Sequence, residues 1–413
     1  MSPGRHDVHV GIVTALPVEC AAVRLLVDDR LDERVDGDPN NYLTGRLPSR
    51  DGSREHRVVI AMQTQDGTRN AAAICTDLVR SFPALRCVVM CGIAGGVPAP
   101  AAPERHVRLG DIVVATEGVV DYDHVRTVDG RSDLRRTVEG VSLDLLRADR
   151  ELQVKERAGD WPWRAWLDGT GKPPGFARPP DSTDVLLRRG ERINHPRRSR
   201  SGHLAGWPRV HRCAIASADR LVRDAVMRDK MAERYEIRAV EMEASGVAVG
   251  AYLRGIGWFV IRGVADYCDA SKNEVWHPYA ALAAAAYVRA LLAECPPFSG
   301  GPGSSMTAPA MGTAGHNHLR TLVEVLLAIP QMRDDYQRRA IMALLPDEIR
   351  TMVPDNVNGR LHVVAMVQTC IDMDGREGLL NALKVSLPSQ SLDLRRVEET
   401  INSCWPSWPP ARR

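Results

Sequence analysis

The 413-residue chain has no cysteine pair at C-x-x-C spacing, no apolar run that could span a bilayer, and almost no net charge. Nine cysteines, an odd number scattered over the whole length, fit a reducing compartment better than a disulfide scaffold. A net charge of +2 provides no global field for nucleic acid or an anionic membrane, so neither is an expected partner. The opening "MSPGRHDVHVGIVTAL" lacks the apolar core of a signal peptide. A cytoplasmic location is therefore expected. There is no internal repeat, and neither a metal nor another cofactor is called for.

What is present is ordinary globular composition, 44% hydrophobic and 26% charged, at a length that predicts two to three domains. Short Val- and Ile-rich runs alternate with helical patterns through residue 295. "HVGIVTAL" (9–16) reads as a buried strand, and "PVECAAVRLLVDD" (17–29) as a helix with Pro17 in its first turn. Further strands are expected at 42–47, 56–64, 85–97, 110–123, 209–218, 236–242 and 258–266. Helices are expected at 67–82, 219–235 and 276–295, with another following Glu243. This alternation predicts an α/β domain over 1–295, with a twisted, mixed but largely parallel sheet flanked by helices. The stretch 137–208 breaks the rhythm and reads as an irregular insertion. "PPFSGGPGSSMTAPAMGTAG" (296–315) has the composition of a flexible linker. Helical spacing at 319–346, 359–373, 375–387 and 391–401 then predicts a small all-α bundle over 316–413.

"AVEMEASGVAVG" (239–250) places two glutamates in an apolar run, where carboxylates are rarely buried without partners. Glu19, Glu243 and Asp266 each stand where a predicted strand ends. Ligands of open α/β sheets bind beyond the carboxyl ends of strands, so the three acids could converge in one crevice. The glycine turn "CGIAGG" (91–96) would let backbone approach a ligand closely. Taken singly, each acid has a plainer reading. Glu19 and Glu243 suit the first turn of a helix, and Asp266 suits a cap.

In combination, "GIVTALPVE" (11–19), "GIAGGV" (92–97), "LGDIVVA" (109–115), "IASADRLV" (215–222), "VEMEA" (240–244) and "VIRGVADY" (260–267) resemble the purine nucleoside phosphorylase/nucleosidase superfamily. The resemblance is closest to its methylthioadenosine/S-adenosylhomocysteine nucleosidase branch, in versions fused to other modules in fungal and bacterial conflict-type proteins. It implies that Asp266 is the general acid that protonates the imidazole-ring nitrogen of a purine, kept protonated by burial beside Val264 and Ala265. It implies that Glu243 accepts the ribose hydroxyls, that Met242 packs beneath the sugar, and that Glu241 lies near the sugar edge. Glu19 would activate water, and Arg262 would hold that water or orient the acids. Leu221 and Val222 would meet the purine, and Ala94 and Gly95 would flank base and sugar. Relatives usually complete their pockets at a subunit interface, which implies a homo-oligomer.

Phosphorylases of this superfamily carry an arginine in the loop after the first strand. Glu19 in that region would repel phosphate and favour water. In "RRGERINHPRRSRSGH" (188–203), Arg188, Arg189, Arg197 and Arg198 form either a solvated basic loop or a clamp for a 5′-phosphate chain. Residues 316–402 resemble the second type of effector-associated domain, which implies an adaptor that pairs with a matching module on another protein. The reading is a purine nucleoside or nucleotide N-ribosyl hydrolase, with adenine the expected base, serving as effector of a bacterial conflict or defence system. A phosphate-dependent phosphorylase and a nucleotide-sensing module without catalysis stand as alternatives.

Overall fold

A computed structural model describes residues 5–128, 131–134, 137–138, 141–168, 173–188, 190–198, 206–252, 254–298, 313–350, 353, 359–373, 375–388 and 391–405. The chain divides into two compact units, Met1–Ser305 and Met306–Arg413. Among the described residues no helix is long and apolar enough to cross a membrane.

The first unit starts with β1 (Val10–Thr14), α1 (Pro17–Leu25), β2 (Asp28–Arg34), β3 (Asn41–Leu47), β4 (His56–Met62), α2 (Thr68–Ser81) and β5 (Cys87–Gly96). Short strands β6 (Ile112–Val114) and β7 (Val119–Asp121) follow, then β8 (Val125–Val128), β9 (Arg131–Leu134) and β10 (Thr137–Val138). The inserted region carries α3 (Leu143–Arg157), α4 (Ala165–Asp168), β11 (Leu186–Arg188) and β12 (Glu191–Ile193). The unit closes with β13 (Val210–Arg212), β14 (Ile215–Ser217), α5 (Ala225–Tyr235), β15 (Ala239–Glu241), α6 (Ala244–Tyr252), β16 (Gly257–Asp266) and α7 (His277–Glu294).

Twelve of these strands form one mixed sheet, with β5 at its centre. Its Val-rich run is buried on both faces, as parallel interior strands are. β16 runs parallel along β5 from Cys87 to Gly95. The other edge of β5 is shared. Parallel β1 pairs it from Cys87 to Met90, and antiparallel β15 takes over at Gly95 and Gly96. Between them, residues 91–94 are left without a strand neighbour on that side, so their backbone must find other partners. The outer β2, "DDRLDER", is charged and exposed, which blunts the sheet edge.

Several sequence expectations for the first unit need correction, and the strands expected over 110–123 and 209–218 are each split into two short ones. The helix expected over 17–29 ends at Leu25, because Asp28 and Asp29 belong to β2. The helix expected over 219–235 starts at Ala225, where the Asp224 carboxylate accepts from the N–H groups of Val226 (2.8 Å) and Met227 (3.1 Å). The stretch 137–208 is not simply irregular: it holds the fifteen-residue α3, N-capped by Ser142. Acids on the inward face of α3 hid its pattern. Asp149 and Glu156 are buried there, and Arg212 pairs with both at 2.8 and 2.9 Å.

The insertion is also tied down behind β16. Ala99 N–H donates to His106 Nδ1 (3.1 Å), so His106 Nε2 carries the hydrogen and donates to His195 Nδ1 (2.9 Å). His195 Nε2 then donates to the Asp184 carbonyl (3.1 Å), and the Asp184 carboxylate accepts from the Tyr267 hydroxyl (2.6 Å). Each imidazole is thereby fixed as one neutral tautomer.

The second unit is all helical: α8 (Thr313–Ala328), α9 (Pro330–Arg333), α10 (Asp335–Met342), α11 (Asp347–Arg350), α12 (Gly359–Asp372), α13 (Arg376–Ser386) and α14 (Leu392–Cys404). Leu322, Leu326, Val363, Met366, Leu383 and Ile401 lie in its core. The single helix expected over 319–346 is split, because Pro330 starts a new turn and Asp334 caps α10 through Gln337 N–H.

Candidate active site

The unpaired edge of β5 is where the acids gather. Ile93 N–H, left without a strand partner there, donates to Glu19 Oε1 (2.7 Å). Glu19 lies in the first turn of α1, and its other oxygen accepts from Ala15 (2.8 Å) and Leu16 (2.9 Å). It therefore stands in the first turn of a helix and on the pocket wall at once. Gly92 is required beside it, because a Cβ at that position would strike the Glu19 carboxylate and Arg262.

Arg262 comes from β16 and is fully buried. It contacts Glu19 (3.7 Å), Glu243 (3.0 Å) and Glu241. Burial alone would lower its guanidinium pKa, but the three carboxylates raise it. Glu241, at the end of β15, accepts from the N–H groups of Glu243 (3.0 Å) and Ala244 (2.9 Å) and thus starts α6. Its oxygens serve backbone and Arg262, so it holds the wall in place. Glu243 accepts from Gly67 N–H at the head of α2 (3.3 Å). Burial pushes Glu243 up to about 7, against Arg262 and helped by Glu241 and Glu19. Burial also raises Glu19, against Arg262 and its three backbone donors.

Asp266 reaches the same pocket through a bulge. Val264 pairs with Ala94, but Asp266 rather than Ala265 pairs with Gly95, and the extra residue re-aims the side chain. Its Oδ1 accepts from Cys268 N–H (2.7 Å), and its Oδ2 lies 3.0 Å from Lys272 Nζ. Besides the apolar neighbours Val264 and Ala265, an ammonium thus faces this acid. A Cβ on Gly95 would run into Cys268 Sγ and Asp266 Oδ1.

One pocket is lined by Glu19, Glu241, Met242, Glu243 and Asp266, together with Ala94, Gly95, Leu221 and Val222. Arg262 lies beneath this wall. The loop 218–222 is anchored by Asp219, which accepts from Thr68 N–H (2.5 Å) and Thr68 Oγ1 (2.8 Å). Lys272, His277, Arg220 and Cys268 also line the pocket, and the sequence reading gave them no role. For Lys272 the available signal was a lone cation in "CDASKN", six residues after the acid.

The basic stretch lies elsewhere. Arg198 is bound to the buried Asp111, which His211 also contacts at 3.0 Å, and it lines a different cavity. Burial alone would raise Asp111, but Arg198 and His211 hold it well below the usual carboxylate range. Arg198 is thus a structural tie, because a buried aspartate needs a cation. Arg197 is exposed and is not part of the acid-lined pocket. Arg189 and the side chain of Arg188 lie outside the described residues.

The sequence model of the phosphorylase superfamily matches residues 9–293, and that of effector-associated domain 2 matches residues 323–402. A nucleotide-binding leucine-rich repeat (NLR)-like protein of Hyaloscypha variabilis is 30% identical over 303 residues, covering 68% of this chain and 29% of that protein. ATP nucleosidase Cap17 of Escherichia coli is 26% identical over 288 residues, covering 68% of this chain and 50% of that protein. A 5′-methylthioadenosine/S-adenosylhomocysteine nucleosidase of Mycobacterium bovis is 25% identical over 286 residues, covering 69% of this chain and 96% of that protein. The match therefore spans half or less of the length of the first two relatives.

Proposed function

The chain belongs to the phosphorylase superfamily and carries a C-terminal effector-associated domain of the second type, and from that premise we propose that it hydrolyses the N-glycosidic bond of a purine nucleoside or nucleotide. Adenine is the expected base. Water is the nucleophile and the free base is released. The observation that carries this reading is the meeting of Glu19, Glu243 and Asp266, from three separate strand ends, on one pocket wall above Arg262.

In this reading Glu19 takes the proton of the attacking water. Burial raises its affinity for a proton, which favours taking one from water. Glu243 accepts the ribose hydroxyls, over Met242. Asp266 hands a proton to the leaving purine, so that the base departs neutral. Arg262 holds the carboxylates in register. Phosphate fits this wall poorly: three carboxylates surround the nucleophile side, and the one cation beneath is shared among them. That the Escherichia coli relative is an ATP nucleosidase supports a nucleotide such as ATP as substrate, and the effector-associated domain of this chain supports a role as a defence effector. The second unit would bring the enzyme to a partner with a matching module and raise its local concentration there.

Purified protein incubated with adenosine, methylthioadenosine, AMP and ATP, with and without added phosphate, tests this directly. Free base together with an unphosphorylated C1′ sugar is expected. A sugar 1-phosphate would make the chain a phosphorylase. The Asp266→Asn variant should lose about 10²–10⁴-fold in base release. A protein that binds these ligands but never cleaves them, with or without Asp266, would be a sensor.

A further inference from the structure

Asp266 enters the pocket with both oxygens engaged. Cys268 N–H holds Oδ1, and the Lys272 ammonium holds Oδ2 at 3.0 Å. Both Asp266 oxygens thus face donors, a backbone N–H and an ammonium, and a purine leaving as a neutral base must gain a proton. Asp266 is 5% exposed, whereas the Lys272 side chain is 21% exposed and spans from the carboxylate to solvent. Building on the hydrolase reading above, we propose that Lys272 is the proton source for base departure, delivering through Asp266.

The step balances. An Nζ–H bond of Lys272 breaks as an O–H bond forms on Asp266. That proton then passes to the ring nitrogen as the electron pair of the N-glycosidic bond moves into the purine. The water oxygen bonds the anomeric carbon, and its proton goes to Glu19. Lys272, left as a neutral amine, regains a proton from solvent. Lys272 acts only through Asp266, so it is a positioning and relay residue rather than one that touches the base.

The surroundings favour this route. Lys272 N–H donates to the Asp269 carbonyl (3.2 Å), which fixes the loop that presents the side chain. Besides Asp266, the charged and titratable groups around it are Asp269, Glu274, His277, Cys268 and Arg220. The guanidinium of Arg220 cannot act as an acid. Cys268 is pushed up by burial and by Asp266. His277 is pushed down by burial and by the Lys272 charge, so it stays neutral. An ammonium beside the acid is the one group here that combines a transferable proton with access to water.

Two substitutions separate charge from proton. Lys272→Arg keeps a cation on Asp266 but cannot give up its proton, whereas Lys272→Met removes both. The measurements are base release across pH, free adenine binding by calorimetry, and rate with added methylammonium. The expected result is a loss of about 10²-fold or more in kcat for both variants, with adenine binding kept in the Arg variant. Methylammonium should restore the Met variant and leave Asp266→Asn unaffected. The rate of the Met variant should also rise as pH falls, because Asp266 must then take its proton from solution. A Lys272→Arg enzyme working at the wild-type rate overturns the relay, as does a Met variant that amines do not rescue. If the Met variant fails to fold, the Arg variant decides alone. Wild-type protein that releases no base from any of the four substrates ends the hydrolase reading itself, whereas normal release with an active Arg variant ends only the relay.

Discussion

Arg262 faces Glu19, Glu241 and Glu243, so one positive charge answers three carboxylates that are almost wholly buried. Protons settle part of the excess. With Glu243 raised to about 7 from a usual 4.5, the folded protein holds a proton that the unfolded chain has lost between those values. The stability it contributes is therefore full below about 4.5 and lost as pH rises toward about 7. For binding the sign reverses, because the ionised carboxylate is the better acceptor for ribose hydroxyls. KM for a nucleoside should fall as pH rises through about 7, and steady-state kinetics of Glu243→Gln should lack that step. Arg262→Met leaves buried carboxylates without a counter-charge. It should cost about 3–5 kcal/mol of stability in urea unfolding, as breaking a buried ion pair does.

At the scale of elements, the site exists because β1 stops at Met90 and β15 begins at Gly95 along one edge of β5. The pairing gap, together with the bulge at Ala265, turns strand ends into a pocket. Gly95 has no room for a side chain against Cys268 and Asp266. Gly95→Ala should therefore lower kcat for base release while circular dichroism stays native-like, because the groups displaced are the Cys268 and Asp266 side chains at the pocket rather than the sheet backbone. Much of this was legible in the sequence. Continuous Val and Ile runs mark β1, β5 and β16 unambiguously, and the acids at their ends stand out against them. What periodicity missed has a common cause in long-range pairing. α3 hides because Asp149 and Glu156 face inward toward Arg212, and Arg198 looked free because Asp111 lies 87 residues away. Lys272 was overlooked for the same reason, since nothing local tells a loop lysine which acid it will meet.

At the scale of the molecule, each unit has its own apolar core, two clusters in the first and one in the second among the described residues. Every residue lining the acid pocket lies between Ala15 and His277. A protein cut after residue 298 should keep base release within a small factor of the full chain, measured with the same substrate, while losing any partner captured through the helical unit. Within the first unit, the hydrogens of His106 and His195 run toward Asp184, which also accepts from Tyr267 on its other side. Burial and the neighbouring His195 push His106 down to about 4, so that tie is whole above pH 6.5 and fails progressively as the solution is acidified toward 4. The far end of the chain is Tyr267, next in sequence to the acid. The inserted segment thus braces the residue next to Asp266, and souring the medium would slacken the pocket wall from behind before the sheet itself gave way.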